Sequence, residues 1–283
     1  AEAALRLGGT VWVGSDFEQI VDPADLPTEE FVVTKIDLSG KKNIEDEFLT
    51  NFRGLVDLQI LILSETSMTD RGLANLTDDG RQPLPALQRL YLKDTKITQQ
   101  GLQFLSGSTD LFDLQVDGTA ISQTSVLSQF PDLSVIGVGE TSLSSDELRI
   151  VAEFPRLDRL TMDGRHLTES MTGILADRPN LRALSLRDLP SDFESNFLVR
   201  LPLLTELYVS SADTEVYGDG FWEDVASLRN LQILMCTEGL TDQSLAIARP
   251  MPQVQMLTVM SKSVTGEGLV TAMVKFPNVG SLR

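Results

Sequence analysis

One apolar pattern recurs in phase along almost the whole of this chain. Residues 87–105, LQRLYLKDTKITQQGLQFL, show it most fully. Leu87, Leu90 and Leu92 have the spacing L-x-x-L-x-L, Thr95, Ile97 and Thr98 follow, and Gly101-Leu102 starts a helical run. Taking the first apolar residue of each such block, the starts are Val33, Leu58, Leu87, Leu111, Leu133, Leu157, Leu181, Leu204, Leu231, Val254 and Val279. The ten steps span 246 residues, a mean of 24.6. One match could arise by chance. Ten in phase require a stack in which each unit touches its neighbours and one core runs through all of them. That outweighs the two-domain expectation a 283-residue length would otherwise carry.

The full pattern is L-x-x-L-x-L-x-x-T-x-I-T-x-x-G-L. Residues 58–73 (LQILILSETSMTDRGL) meet it with Met68 in the Ile slot, and residues 231–245 and 254–269 meet it with small changes. On these residues the chain resembles the leucine-rich repeat family. Its T-x-I-T-D-x-G-L ending is similar to the helix-bearing, ribonuclease-inhibitor-like or cysteine-containing subclass found in many bacterial repeat proteins. Thr66, Thr95, Thr119 and Thr141 hold the slot where that subclass often has Asn or Cys. The resemblance covers about residues 33–283. It implies an α/β leucine-rich repeat solenoid of about ten repeats, right-handed, with parallel strands on the concave face and helices on the convex face. It also implies protein–protein recognition on a curved surface, and no reaction.

Residues 1–32 lack the pattern and read as an N-terminal cap ahead of a 33–283 solenoid, since an end repeat would otherwise expose its apolar side. Residues 1–7 read as a short helix stopped by Gly8-Gly9, and residues 10–13 (TVWV) as β-prone. Trp12 and Phe17 are expected to cover the first repeat. Further on, helices end where Pro follows, as at Phe130-Pro131, Phe154-Pro155 and Phe276-Pro277. Two steps are long. That from Leu58 to Leu87 has an insertion at residues 77–82, and that from Leu204 to Leu231 has residues 210–220 (SSADTEVYGDG) after its strand. Insertions map to loops and often to a binding face. Tyr217 in the second loop and Trp222 beyond it are expected to be partly exposed, with Phe221 in a core slot.

The balance of 23 Lys and Arg against 41 Asp and Glu gives a net charge of −18. Nucleic acid and anionic membrane surfaces are poor partners for such a chain. A basic protein or peptide would be steered towards it. No apolar run of about 20 residues is present, so direct membrane insertion is not expected. The chain opens without Met in what reads as mid-helix, which favours a trimmed secreted or membrane-anchored surface protein over a cytoplasmic one. The single cysteine, Cys236, allows no internal disulfide.

Between core residues the strand side chains alternate to the other face. In register, that face pairs Arg89 with Asp113, Lys93 with Asp117 and Asp163 with Arg187. Its C-terminal strands are apolar where they should be wet. Tyr208, Ile233, Met235, Met256 and Met260, together with Tyr217 and Trp222, are the candidate partner-binding residues. The alternatives are that the Met-rich patch is covered by the C-terminal tail, by a domain beyond Arg283, or by a second copy.

The enzyme reading finds little. Cys236 fills a core slot, and the one histidine, His166, lies in a loop three repeats earlier, about 14 Å away by strand spacing. A Cys–His pair needs hydrogen-bond reach. No cofactor motif or His/Cys metal site is present. Calcium on Asp78-Asp79 or on Asp213 and Glu215, and a sequon at Asn75-Leu76-Thr77, are weak signals. The expected function is therefore a non-catalytic binding scaffold. The alternative is a structural or sensory ectodomain module of a larger secreted or membrane-tethered protein.

Overall fold

The computed structural model describes residues 1–77, 84–178, 180–190, 192–211 and 214–282. Contacts divide the chain into two compact units, Ala1–Glu147 and Leu148–Arg283.

Unit 1 begins with α1 (Glu2–Arg6), β1 (Thr10–Val13) and β2 (Glu18–Ile20). It continues with β3 (Val33–Asp37), β4 (Ile60–Ile62), α2 (Asp70–Ala74), β5 (Arg89–Tyr91) and α3 (Gln99–Gln103). β6 (Asp113–Gln115), β7 (Val135–Gly137) and the start of α4 (Ser145–Ala152) follow. Short 3-10 helices, Asp46–Phe52 and Ser125–Gln129, replace the α-helix in two repeats. The strand order is β2-β1-β3-β4-β5-β6-β7. β1 is antiparallel to β2 and β3, and β3 to β7 are parallel.

Unit 2 contains β8 (Arg159–Asp163), α5 (Glu169–Ala176), β9 (Ala183–Arg187), β10 (Glu206–Ser210) and α6 (Asp219–Ser227). Then come β11 (Ile233–Thr237), α7 (Asp242–Ile247), β12 (Met256–Met260), α8 (Gly266–Lys275) and β13 (Ser281–Leu282). Its strands lie in parallel in chain order.

In each unit the leucine slots come into register. Ile36, Leu61, Leu90, Leu114 and Ile136 form one row, and Leu160, Leu184, Leu207, Leu234 and Leu257 another, all buried. Burial of each such side chain contributes very roughly 1.5–3 kcal/mol.

The N-terminal hairpin closes the edge of β3, but not through the expected residues. Val11, Val13 and Ile20 are buried with Ala4 and Leu5 of α1. Strand alternation then turns Trp12 to the other face, where Lys35 Nζ sits 3.7 Å above its ring centre. Phe17 is exposed.

The T-D-x-G-L ending has a mechanical explanation. Thr69, Thr98, Thr241 and Thr265 cap the helices that follow them, accepting a backbone N–H on the side-chain oxygen. The acid one residue later reaches to the next repeat. Asp70 accepts from Thr98 N and Oγ1, both at 2.7 Å. Asp242 does the same with Thr265, at 2.8 and 2.6 Å. Asp46, in the first 3-10 helix, accepts from Thr69 N at 2.9 Å and Oγ1 at 2.5 Å. The glycine makes room for that carboxylate: a Cβ at Gly101 would overlap Asp70 Oδ1, and one at Gly268 would overlap Asp242 Oδ1.

Of the two insertions, residues 78–83 and 212–213 lie outside the described residues. So do the candidate calcium ligands Asp78, Asp79 and Asp213, and the Glu215 side chain. Asn75 of the sequon donates its side-chain amide to the Asp46 carbonyl at 2.9 Å.

Candidate functional site

The strand face of unit 2 is built in columns. Arg159, Ala183, Glu206, Ile233 and Met256 lie side by side in one, and Thr161, Ser185, Tyr208, Met235 and Thr258 in the next. Asp163 pairs in register with Arg187, and Ser210 with Thr237 and Met260. All five principal strands run for five residues, so the third column belongs to the ladder.

The first columns are polar at one side. Arg159 reaches over the buried Ala183 to Glu206 and grips it with both nitrogens, Nη1 to Oε2 and Nη2 to Oε1, each at 2.7 Å. Such a fork-to-fork pair fixes both side chains. Tyr208 donates its hydroxyl to Glu206 Oε2 at 3.0 Å. Arg159 holds the Glu206 carboxyl below its ordinary pKa, against the opposing effect of burial. Burial, and then the bond to Glu206, push the Tyr208 hydroxyl up to about 12. The phenol therefore stays a neutral donor, and the Tyr208 ring is held upright at the polar edge.

Beyond Tyr208, on β11 and β12, four of the six side chains on this face are apolar, the others being Thr237 and Thr258. Ile233, Met235 and Met256 are half-buried, and Met260 is 58% exposed. The structure thus brings Tyr208, Ile233, Met235, Met256 and Met260 onto three adjacent strands, with Tyr208 beside Met235, Ile233 beside Met256, and Met260 beside Thr237.

Tyr217 and Trp222 do not join them. Both are completely buried, which corrects the expectation of partial exposure. The chain after β10 folds inward through a 3-10 turn, Thr214–Tyr217. The Tyr217 hydroxyl donates to the Thr237 carbonyl at 3.0 Å, and its ring lies edge-on to Phe221, 5.4 Å between centroids. Trp222 packs between Phe221 and Phe276 at 5.1 and 6.3 Å. These aromatics are core of unit 2.

Unit 1 keeps its charges more local. Lys93 Nζ lies 3.5 Å from Asp117 Oδ2. Asp113 is in register with Arg89, but it accepts from the Tyr91 hydroxyl at 2.7 Å and from Gln115 Nε2 at 2.9 Å. The Arg89 guanidinium stands over the Phe112 ring, 5.3 Å from its centre. In unit 2, Asp163 takes Arg165 Nη2 at 2.8 Å while in register with Arg187.

The Arg159–Glu206 clamp is absent from the sequence expectation because it skips a strand. Its signal was present: opposite charges two repeats apart in one column, with an alanine between them.

Cys236 is fully buried in β11, and burial pushes its thiol pKa up. His166 ends a 3-10 turn, Gly164–His166, with Arg165 Nε 3.1 Å from its Nε2. Burial, and then the Arg165 charge, lower its pKa. Among the described residues no group of three His, Cys, Asp or Glu side chains could hold a metal ion, and no helix is long and apolar enough to cross a membrane. An open groove of about 680 Å³ lies on the helix side of unit 2, lined by Leu167, Glu169, Phe193, Glu194 and Phe197 among others.

The repeating strand, turn and helix, with leucine rows in register, decide the architecture. The fold is that of a leucine-rich repeat protein. By sequence, the chain matches no family model and no curated protein. Among solved structures it is similar to an internalin from Listeria monocytogenes, with 17% identity and a TM-score of 0.40 over 92% of this chain and 91% of that one. It is also similar to a leucine-rich repeat protein of Leptospira interrogans, with 15% identity and a TM-score of 0.43. There the match covers 84% of this chain and 62% of that chain, so this chain spans less than two thirds of that protein.

Proposed function

We propose that this protein is a non-catalytic recognition scaffold that seats a protein or peptide partner on the strand face of unit 2. The contact residues are Tyr208, Ile233, Met235, Met256 and Met260. The observation that carries this reading is that Ile233, Met235, Met256 and Met260, all part-exposed and apolar, share one face of two paired strands, with Ile233 and Met256 in register. Contiguous apolar surface of this kind marks interaction sites, and methionine adapts to the shape of a partner. The fixed Tyr208 ring adds a rigid aromatic contact at little entropic cost.

The net charge of −18 favours a basic partner and disfavours nucleic acid. The non-catalytic reading is supported by the burial of Cys236, whose raised pKa disfavours the thiolate that nucleophilic chemistry needs. We also assign the repeats to the ribonuclease-inhibitor-like or cysteine-containing subclass. The support is the helices that contain the Gly-Leu pairs and the buried threonines at its Asn or Cys slot.

The test is capture of partners from the native cell by the wild-type chain and by a Met235→Asp, Met256→Asp variant side by side. A partner lost only from the variant is the expected result. The same partners with both would refute the assignment of this face.

A further inference from the structure

We propose that the groove between α5 and the 3-10 turn Asn196–Arg200, on the helix side of unit 2, is a second docking site. Its occupant is a basic peptide segment in which a large apolar side chain is flanked by Lys or Arg. Three observations carry this, none of them on the strand face.

First, the latch that joins other repeats is broken here. Glu169 follows the capping Thr168, as Asp70 follows Thr69 and Asp242 follows Thr241. Asp70 and Asp242 each take the threonine of the next repeat. In the repeat after Glu169 that threonine is missing: Asp192 lies as far beyond Leu181 as the latched Thr98 does beyond Leu87. A hydroxyl donor is thus replaced by a second acid, and both acids line the groove. Neither carboxylate has a hydrogen bond or ion pair among the described residues.

Second, the groove joins apolar surface to uncompensated negative charge. Leu167, Phe193 and Phe197 line it beside Glu169, Asp192 and Glu194. Arg200, the one cation among the described lining residues, is held by Asp177, with Nη2 at 2.5 Å from Oδ1. An apolar anchor with basic neighbours matches this lining in both respects. The volume of about 680 Å³ is that of a pocket able to enclose such an anchor.

Third, Gly173 keeps the groove open for no reason internal to the fold. Gly101 and Gly268 make room for a latch carboxylate, whereas a Cβ at Gly173 would meet nothing within 4 Å, and its φ is not left-handed. Glycine inside a helix weakens it relative to alanine. Gly173 lines the groove, so a larger side chain there would fill space that an occupant could use.

Fluorescence anisotropy on the 283-residue chain tests the proposal with a labelled Lys-Lys-Leu-Phe-Lys-Lys peptide. Glu-Glu-Leu-Phe-Glu-Glu and Lys-Lys-Gly-Gly-Lys-Lys serve as counterparts. The first peptide is expected to bind more tightly than either of the others. Gly173→Leu should weaken its binding on the order of tenfold, the size of a lost anchor contact, without lowering the thermal midpoint. Glu169→Gln with Asp192→Asn should weaken binding and flatten its salt dependence. Met235→Asp, Met256→Asp on the strand face should leave it intact, which separates this site from the one proposed there. No binding by the wild type, equal binding of the Gly-Gly peptide, binding indifferent to Gly173→Leu, or loss in the strand-face variant would each overturn the proposal.

Discussion

The two units use the same leucine rows but end their strands differently. In unit 1, β4 to β7 are three residues long, whereas β8 to β12 in unit 2 are five. The strand ends of unit 1 carry one buried hydroxyl per repeat. Thr66, Thr95, Thr119 and Thr141 donate to the carbonyl three residues back, those of Leu63, Leu92, Val116 and Val138, at 2.6 to 2.8 Å. That carbonyl is then taken from inside its own repeat, while Glu65, Asp94 and Gly118 still donate their N–H groups to the carbonyls of Lys93, Asp117 and Gly139 on the next strand. Glu65, Asp94 and Glu140, just before three of these threonines, adopt left-handed φ of 54° to 58° to close the turn. In unit 2 the same slot holds Arg165, Leu189, Gly239 or Lys262. There the strands extend through the third column, which ends in Met260. The longer strands and the loss of the threonine thus coincide where the apolar side chains lie.

The sharpest way to test this division is to remove what the long unit 2 loop puts in the core. Tyr217→Ala or Trp222→Ala should destabilise by about 3–5 kcal/mol in chemical denaturation. A Met235→Ala change on the half-buried patch should cost far less. Trp222→Phe should be milder than the lost volume implies, because the buried Trp222 Nε1 has no hydrogen-bond partner among the described residues.

Next in size is the threonine itself. Thr95→Val keeps the shape but leaves the Leu92 carbonyl without its donor, at a cost of about 1–3 kcal/mol. The reciprocal change in unit 2, Leu189→Thr, should also destabilise, because it removes a buried side chain from a slot whose strand is already five residues long. If Leu189→Thr stabilised the protein, this reading of the slot would be wrong.

Two helix glycines separate the repeats further. Gly101→Ala must displace the Asp70 carboxylate that latches Thr98, and a loss of about 1–3 kcal/mol is expected. Gly173→Ala in α5 meets open space and should stabilise by about 0.4–1 kcal/mol. Thermal midpoints of the two variants should move in opposite directions.

The smallest effects are those of pH. Glu206 has a folded pKa below its ordinary value of 4.5, so its contribution is present above that value. It is lost as pH falls through the folded pKa. Arg159→Ala should flatten that acid limb. Tyr91 and Tyr208 are both raised from 10.0 to about 12, so above pH 10 the unfolded phenols ionise first and stability falls. Tyr91→Phe and Tyr208→Phe should each reduce this alkaline loss in pH-dependent melting.

Most of the fold was legible because a repeat gives its register many times over. Once Leu61, Leu90 and Leu114 share a row, their neighbours Ile62, Tyr91 and Gln115 must share the next. The columns read from the sequence are the columns of the sheet. What was not legible depended on side-chain reach or on loops with no repeated partner. Arg159 crosses one strand to Glu206, a distance set by its length and by the small Ala183. Tyr217 turns inward because buried carbonyls accept its hydroxyl, and a single sequence does not reveal those acceptors. Trp12 went the wrong way for a simpler reason: its size suggested a cover, but the alternation of β1 gave that place to Val11 and Val13. The Asp70–Thr98 latch was written in the motif, and only its recurrence beside Gly101 could have disclosed its purpose.

The central claim is that partners meet the strand face of unit 2 and not that of unit 1. The most direct measurement places a photo-crosslinking residue at Met235 in one variant and at Tyr91 in another, each irradiated in the native cell. A discrete adduct from the Met235 position, with none from the Tyr91 position, is the predicted result. An adduct from the Tyr91 position alone, or the same adduct from both, would contradict it.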